Sequence, residues 1–265
     1  MPTFKITLAY DGTDFVGWQR QADGTSIQGL LEDALGELDL RQVTVTGAGR
    51  TDAGVHAIGQ VAGFSLERAI APEQLVRALN GRLPGDVRVL SAMEVPAAFH
   101  ARFDARSKAY RYRIWNADVA SPFERRYVWH IGGHLDVGSM ADAAGRLRGC
   151  HDFAAFQAAG SRTRKTERVV SLSCVERPAL DGPLVTYEVT GDGFLRHMVR
   201  NIVGTLVEIA RGRRPPDWIA EVLRSRDRTR AGQTAPAGGL FLVGVEYGES
   251  LAMRPNSVYH RGLVP

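Results

Sequence analysis

Apolar and polar residues follow two regular patterns along the first hundred positions. Residues 4–10 alternate between apolar and polar or small side chains, which is typical of a half-buried strand. Residues 27–38 carry apolar side chains at helical spacing, and Thr25 with Gln28 predicts a capping box before them. The pattern then predicts short strands at 43–45 and 60–64, a helix from Pro72 to near Gly81, and a strand at 87–95. The predicted order in this half is βαββαβ.

The second half of the chain repeats that order. The pattern predicts a strand at 110–115, a helix at 137–147, strands at 169–175 and 184–189, a helix at 195–209, a short helical insertion at 218–223 and a strand at 240–247. We therefore expect an α+β fold of two ferredoxin-like βαββαβ halves with largely antiparallel sheets flanking a central cleft. The expected boundaries are 1–105 and 106–248, with 249–265 as a C-terminal extension.

The composition of the chain restricts the class of protein but does not indicate a function. The chain has 265 residues, 44% of them hydrophobic and 23% charged, which is ordinary for a globular protein. No apolar run approaches the length of a membrane span, and the amino terminus lacks the pattern of a secretory signal. With only two cysteines, Cys150 and Cys174, a disulfide framework is not expected. We expect a cytoplasmic protein without a membrane partner.

Basic residues are distributed unevenly along the chain. The net charge of +4 is compatible with a nucleic-acid partner but does not identify one. Thirty of the 33 basic residues are arginine, and a coding bias of a GC-rich genome is an alternative reason for this excess. Basic side chains concentrate in three groups, at residues 102–113, 162–168 and 211–230. Tyr110, Tyr112 and Trp115 lie within or beside the first group, an arrangement that favours phosphate binding combined with base stacking. A single group of this kind is more often a solvated face.

The segment GRTDAGVHA, residues 49–57, combines glycines with a carboxylate. Glycines let the backbone approach a ligand closely, while the side chain of Asp52 can point into a cleft. Arg50 lies two residues away and can pair with that carboxylate or bind a phosphate. The alternative is an ordinary turn in which Asp52 accepts a hydrogen bond from its own backbone. Spacing alone leaves both interpretations open.

This segment resembles the catalytic loop of the tRNA pseudouridine synthase A family. Further segments resemble motifs of that family in the same order: YDGTDFVGWQRQ (10–21), SKAYRYRI (107–114), HDFAAF (151–156), GFLRHMVRNIVG (193–204) and GGLFLVGVEY (238–247). The resemblance covers about residues 3–248. It implies an isomerase that converts uridine to pseudouridine at positions 38–40 of the tRNA anticodon stem-loop. It also implies a homodimer that needs no cofactor and no metal.

The resemblance implies roles for individual residues. Asp52 is implied as the nucleophile, a covalent or electrostatic partner of the ribose C1′. Tyr110 is implied to stack on the flipped uracil and to assist proton transfer, and Arg200 to pair with Asp52. Arg50 is implied to enter the RNA stem and displace the target base, and Leu240 to line the uracil pocket. Further candidate RNA contacts, taken from the same loop and from the basic groups, are His56, Arg111, Arg162, Arg164 and Lys165.

Periodicity bears on two of these residues. Strand alternation places Tyr110 on the same face as Tyr112, with Arg111 on the opposite face, so a purely structural role for Tyr110 remains the alternative. Helical spacing places Arg200 at the margin of the buried stripe of residues 195–209. From there its stem can stay packed while its guanidinium reaches a cleft.

Two other functions, phosphoryl transfer and zinc binding, agree poorly with the sequence. The segment YDGTD is similar to the phosphatase motif DxDGT, but Ala9 occupies the position of the required nucleophile. His130, His134, Cys150 and His151 are candidate zinc ligands, yet neither CxxC nor HExxH accompanies them. We therefore expect no metal site.

A non-catalytic RNA-binding protein of tandem ferredoxin-like units is the main rival hypothesis. It explains the repeated element order and the basic groups as well as an enzyme does. It does not explain Asp52 in a glycine-rich loop that faces RNA, because a carboxylate near phosphates lowers affinity. This difference favours the enzyme.

Overall fold

The computed structural model describes residues 1–161, 163–177 and 182–248, and within them ten strands form one continuous sheet. The predicted extension 249–265 lies outside the described residues. The strands are β1 (Thr3–Tyr10), β2 (Thr46–Gly47), β3 (His56–Ser65), β4 (Val87–Val95), β5 (Ser107–Trp115), β6 (Trp129–His130), β7 (Gly149–Asp152), β8 (Glu167–Glu176), β9 (Leu184–Gly191) and β10 (Leu240–Glu246).

Five α-helices accompany the sheet in the described part of the chain. They are α1 (Ile27–Asp39), α2 (Pro72–Asn80), α3 (Val137–Gly145), α4 (Met198–Ala210) and α5 (Trp218–Ser225). Single 3-10 turns occur at Ala154–Phe156, Arg228–Arg230 and Ala237–Gly239. None of the described helices has the length and apolar character needed to cross a membrane.

The strand order joins the two halves of the chain through their sheets. It runs β4-β1-β3-β10-β5-β9-β8-β7, with β2 also pairing with β3 and β6 with β5. All neighbours are antiparallel except β10 with β3 and β6 with β5. In the β3–β10 pair, Phe241 lies opposite His56 and Leu242 opposite Ala57. The predicted α+β class is confirmed as a large, mostly antiparallel open sheet with helices.

Most predicted elements are present, with corrections at their ends. The predicted strand at 43–45 is wrong, because Val43 and Val45 pack into the core without joining the sheet and only Thr46–Gly47 pairs with β3. The cap of α1 is Ser26 rather than Thr25, since its hydroxyl oxygen accepts a hydrogen bond from the Gly29 N–H at 3.1 Å. Hydrophobic periodicity therefore located elements well and their ends less well.

One apolar core connects the sheet with all five described helices. The inward face of β1 contributes Phe4, Ile6 and Leu8, each with no exposed surface. Helix α4 contributes Ile202 and Leu206, which are also fully buried. Burying one such aliphatic side chain stabilises the fold by roughly 1.5–3 kcal/mol. The core thus fixes α4 firmly against the sheet, and α4 carries one side of the site described next.

Candidate active site

The loop between β2 and β3 is held from several sides by hydrogen bonds. The Tyr10 hydroxyl lies 2.8 Å from the Thr51 hydroxyl, and the Trp18 N–H donates to the Thr51 carbonyl at 3.0 Å. Gln60, fully buried, donates its side-chain N–H to the Gly49 carbonyl at 2.9 Å. These contacts fix the backbone on both sides of Asp52.

Residues 12–18 pack directly against the same loop. A Cβ atom at Gly12 would lie 2.0 Å from the Val55 carbonyl oxygen, so a side chain there would push the two segments apart. Gly17 has φ +105° and its Cβ would lie 2.6 Å from the Thr51 carbonyl oxygen. The glycines of the segment YDGTDFVGWQRQ are therefore required by close backbone packing.

The Asp52 carboxylate faces two nitrogen groups from α4 and its amino-terminal end. Arg200 Nη1 lies 3.4 Å and His197 Nε2 lies 3.5 Å from Asp52 Oδ2. The exposed fraction is 29% for the Asp52 side chain and 15% for Arg200, so the pair is partly open to solvent. The predicted contact between Arg200 and Asp52 is present.

A second hydrogen bond orients the Arg200 guanidinium. Its Nε donates to the Ala235 carbonyl oxygen at 2.7 Å, which leaves Nη1 directed at Asp52. Gly204 allows residues 231–235 to approach α4, because a Cβ at this position would lie 1.7 Å from the Gln233 carbonyl oxygen. The position of this strand-like segment therefore decides where the guanidinium points.

Two polar side chains fix the segment 231–235. Asn201, fully buried, accepts hydrogen bonds on Oδ1 from Arg228 Nη2 at 3.1 Å and from the Thr234 hydroxyl at 2.7 Å. Arg228 also donates from Nη1 to the Gly232 carbonyl at 2.9 Å. The network supports Ala235 and, through it, Arg200.

Tyr110 lies buried near Asp52. It lies on β5 between Leu242 of β10 and Val189 of β9 and is 8% exposed. The Phe194 ring meets it edge-on at 5.0 Å between centroids. Burial, followed by the nearby Tyr10 and Asp52, raises the pKa of Tyr110 above its usual range. Tyr110 is therefore a neutral phenol at physiological pH.

His197 is a site residue that the sequence interpretation missed. Its backbone adopts φ 61° immediately before α4, a left-handed conformation that is uncommon for residues other than glycine. Burial lowers the pKa of His197; Asp52 opposes this shift and Arg200 reinforces it. The sequence feature that could have identified His197 is its spacing, since a residue three positions before Arg200 lies near it on a helical path.

His56 corrects the prediction of a direct RNA contact. Its side chain is 1% exposed and stacks on Phe241 at 4.7 Å. Nδ1 accepts from the Gly12 N–H at 2.9 Å, and Nε2 lies 3.1–3.2 Å from the carbonyls of Gly238 and Arg126. The hydrogen bonds to backbone groups suit the Nε2–H tautomer, and burial lowers the pKa of His56 against the opposing effect of Asp11, whose Oδ1 lies 3.1 Å from Nδ1. The residue joins three segments of the chain and is closed to RNA.

The remaining predicted residues lie in different surroundings. Leu240 is buried opposite Tyr112 in the β10–β5 ladder. Arg111, on the face opposite Tyr110, forms an ion pair with Glu188 at 2.7 Å. Exposed positions are occupied by Arg50, Arg164 and Lys165, whereas Arg162 lies outside the described residues.

Among the described residues, no group of three or more histidine, cysteine, aspartate and glutamate side chains is arranged to hold a metal ion. The candidate zinc ligand His130 instead directs Nε2 at the Ala117 carbonyl, 2.8 Å away. His151 similarly directs Nε2 at the Arg148 carbonyl at 2.8 Å. Both histidines are accounted for by local backbone contacts.

Comparison with known proteins gives a consistent result. A family model described as tRNA pseudouridine synthase matches residues 6–104 and 143–248. The chain is 51% identical over 249 residues to the tRNA pseudouridine synthase A of Moorella thermoacetica, covering 93% of this chain and 100% of that protein. It is 49% identical over 247 residues to the protein of that name from Myxococcus xanthus, covering 93% and 92% of the two chains. For the Pelobacter propionicus protein of that name the identity is 44% over 247 residues, covering 93% and 100%.

Proposed function

The chain belongs to the tRNA pseudouridine synthase family, isomerises uridine to pseudouridine in tRNA, and, we propose, does so at positions 38–40 with Asp52 as its nucleophile. One observation supports the role of Asp52 above all others. Its carboxylate is partly exposed on a loop fixed by hydrogen bonds, with Arg200 Nη1 3.4 Å from Oδ2. The Asp52 carboxylate thus combines a backbone held by hydrogen bonds with partial exposure to solvent.

The reaction requires no net exchange of atoms with a second substrate. The bond between uracil N1 and ribose C1′ breaks, the base turns, and a bond forms between C5 and C1′. A proton leaves C5 and N1 gains one, so the product is an isomer of the substrate. We assign Asp52 as the covalent or electrostatic partner of C1′ while the base is detached. Arg200 holds this carboxylate in place through its ion pair.

Tyr110 offers the site an apolar ring and one polar group, its hydroxyl. In this proposal its ring packs against the flipped uracil, and Leu240 lines the pocket from the neighbouring strand. The raised pKa keeps the phenol protonated, so its hydroxyl acts as a relay for the C5 proton rather than as a phenolate base. Phe194 restricts the Tyr110 ring to one orientation.

Recognition of tRNA is assigned to exposed cations. Arg50 lies two residues from Asp52 and enters the stem to displace the target base, a step that costs a few kcal/mol of stacking. Arg164 and Lys165 contact phosphates, and Arg162 stays a predicted contact of the same kind. Arg111 is less suited to this role because Glu188 neutralises it.

Strand order supports two ferredoxin-like halves at 1–105 and 106–248. The first half has the strand order β4-β1-β3-β2 and the connectivity βαββαβ. The second has the order β10-β5-β9-β8 and matches that connectivity with β6, β7 and α5 as additions. Asp52 comes from the first half, and Tyr110 and Arg200 from the second. We further propose a cytoplasmic homodimer, on the strength of the family resemblance.

The rival hypothesis of a non-catalytic RNA-binding protein is not favoured, because the curated relatives carry the name of an enzyme. The proposal is tested by incubating the protein with a tRNA transcript and mapping pseudouridine by carbodiimide-dependent primer extension. We expect termination signals for uridines at positions 38–40. Signals at other positions alone would refute the assigned target while leaving the isomerase activity intact.

A further inference from the structure

We propose that Lys108 and Arg168 form a phosphate-binding site at the rim of the active site, which holds the phosphodiester group beside the target uridine. The proposal rests on the proposed function and identifies the residues that hold the backbone of the same substrate. It is supported by the position of the two side chains beside Gly49 and Gly193 and by their charge.

Lys108 lies against the catalytic loop. On β5 it precedes Tyr110 by two residues and so projects from the same face of the strand. A Cβ atom at Gly49 would lie 3.4 Å from Lys108 Cε and 4.0 Å from the Tyr110 hydroxyl. The lysine stem therefore runs past the loop that carries Asp52, next to the ring assigned to the flipped base.

Arg168 reaches the same rim from β8. A Cβ atom at Gly193 would lie 3.5 Å from Arg168 Nε, and Gly193 directly precedes Phe194 beside Tyr110. Lys108 is opposite Gly191 in the β5–β9 ladder, and Gly191 is opposite Val170 in the β9–β8 ladder. The two cations thus lie on strands that flank β9 at one end of the sheet.

At this rim three cations, Lys108, Arg102 and Arg168, lie near the Asp192 carboxylate. Lys108 is half-buried and forms no ion pair with a described residue. Burial lowers the pKa of Lys108; Arg102 and Arg168 add to this shift and Asp192 opposes it. Asp192 is itself held, because its Oδ1 accepts from the Val169 N–H at 3.1 Å. A phosphate between the cations would compensate their mutual repulsion with charge-assisted hydrogen bonds.

The geometry of the reaction explains why this anion is the flanking phosphodiester. When the uracil packs on Tyr110 and its C1′ faces Asp52, the RNA backbone has to leave the site past its rim. Lys108 stands there on the strand that carries Tyr110, and Arg168 on β8, two strands away in the sheet. A phosphate held there would fix the ribose relative to the Asp52 carboxylate.

The test uses anticodon stem-loop RNAs in which a neutral methylphosphonate replaces one phosphate, on either the 5′ or the 3′ side of the target uridine. For wild type we expect one of these replacements to weaken binding about tenfold. For Lys108→Met we expect binding of the native RNA to be weakened about tenfold and the same replacement to cause no further loss. Arg168→Met is expected to show the same loss of sensitivity, and Lys108→Arg to retain it.

The comparison of two RNAs within one protein cancels differences in folded fraction between variants. Arg77→Met, an exposed position on α2, serves as the control and should keep the wild-type sensitivity. Full methylphosphonate sensitivity in Lys108→Met, or no sensitivity in wild type, would overturn the phosphate site. Isomerisation of the native RNA by wild type is measured in parallel. Its failure would refute the proposed function, whereas intact isomerisation with either adverse binding result refutes the phosphate site alone.

Discussion

At the scale of the residue, the site depends on how one carboxylate is held. Asp52 Oδ2 faces Arg200 Nη1 at 3.4 Å, and Arg200 Nε is anchored on the Ala235 carbonyl at 2.7 Å. The planar guanidinium makes both contacts at once because its donors point in fixed directions. A lysine in the same place has a single ammonium group and can satisfy only one of them.

Replacement of Arg200 therefore tests the ion pair. We expect Arg200→Met to lower the single-turnover rate of pseudouridine formation by about 10²–10³-fold, the range observed when an electrostatic partner of a reacting group is removed. Arg200→Lys should recover only part of this loss. Single-turnover assays with saturating enzyme measure the rate without a contribution from RNA binding. A rate within twofold of wild type for Arg200→Met would contradict the role of the ion pair.

His56 gives a prediction for stability against pH. Its pKa is lowered from 6.5 by burial in the folded protein, so the unfolded chain binds more protons just below that pH. The free energy of unfolding should consequently fall as the pH drops from 7.5 to 5.5. The neighbouring Asp11 carboxylate opposes this shift without reversing it, and because its own pKa is lowered from 3.8, Asp11 itself titrates only at more acidic pH.

Urea unfolding of wild type and His56→Gln at pH 7.5 and 5.5 measures this effect. His197 has a lowered pKa as well and remains in both proteins, so the difference between them isolates His56. Between pH 7.5 and pH 5.5, we expect the free energy of unfolding to fall less for His56→Gln than for wild type. An equal decrease in both proteins would show that protonation of His56 does not oppose folding.

At the scale of the element, α4 links the core to the site. Its apolar face is fully buried at Ile202 and Leu206, while Arg200 and Asn201 direct polar groups at Asp52 and at the segment 231–235. Because Gly204 is in contact with Gln233, the packing leaves no space between α4 and the segment 231–235. This packing positions Arg200.

Gly204→Ala should therefore damage both stability and catalysis. The added Cβ would lie 1.7 Å from the Gln233 carbonyl oxygen, so the segment must shift and carry Ala235 away from Arg200. We expect a stability loss of about 1–3 kcal/mol, as for other overpacked sites, and a reduced single-turnover rate.

Gly145→Ala is the matched control for this change. Gly145 ends α3 with nothing within 4 Å of an added Cβ, and alanine is the better helix former by about 1 kcal/mol. Thermal unfolding and rate measurements on both variants should show loss only for Gly204→Ala. Equal effects would contradict the importance of close packing at Gly204.

Periodicity predicted the elements but not all of their boundaries. Helix α2 begins at Pro72 and ends before Gly81 as expected, because proline and glycine mark helix ends in the sequence itself. Helix α4 begins at Met198 rather than 195, since the left-handed His197 interrupts an apolar pattern that continues through it. Strand β6 spans two residues and is too short to produce a pattern.

The site was predictable only in part from local sequence. A glycine-rich turn marked Asp52, but its contact with Arg200 spans 148 positions and no local pattern encodes such a distance. The family resemblance supplied that pairing. His56 was assigned to RNA for its place beside Asp52, although burial depends on Phe241 and Gly238 from the other end of the chain.

At the scale of the whole molecule, the site exists only where the two halves join. Parallel pairing of β3 with β10 brings Phe241 beside His56, directly after the loop that carries Asp52. The neighbouring strand β5 then places Tyr110 across from that loop. Neither half contains the aspartate together with the arginine and the tyrosine.

Phe241 is accordingly a test of the junction. The side chain is 5% exposed and stacks on His56, so Phe241→Ala should cost about 3–5 kcal/mol of stability. Phe103→Ala is the control, because Phe103 is 75% exposed and its loss should change stability by no more than about 0.5 kcal/mol. Urea unfolding of both variants measures the difference. Similar small effects would contradict a tightly packed junction.

The central claim is that this molecule isomerises uridine in tRNA through Asp52. Release of tritium from a tRNA transcript labelled at uridine C5 measures that chemistry directly, because the C5 proton must leave before pseudouridine is complete. Wild type should release tritium, whereas Asp52→Asn should bind the same tRNA and release none. No release by wild type, or release by Asp52→Asn at the wild-type rate, would contradict the account.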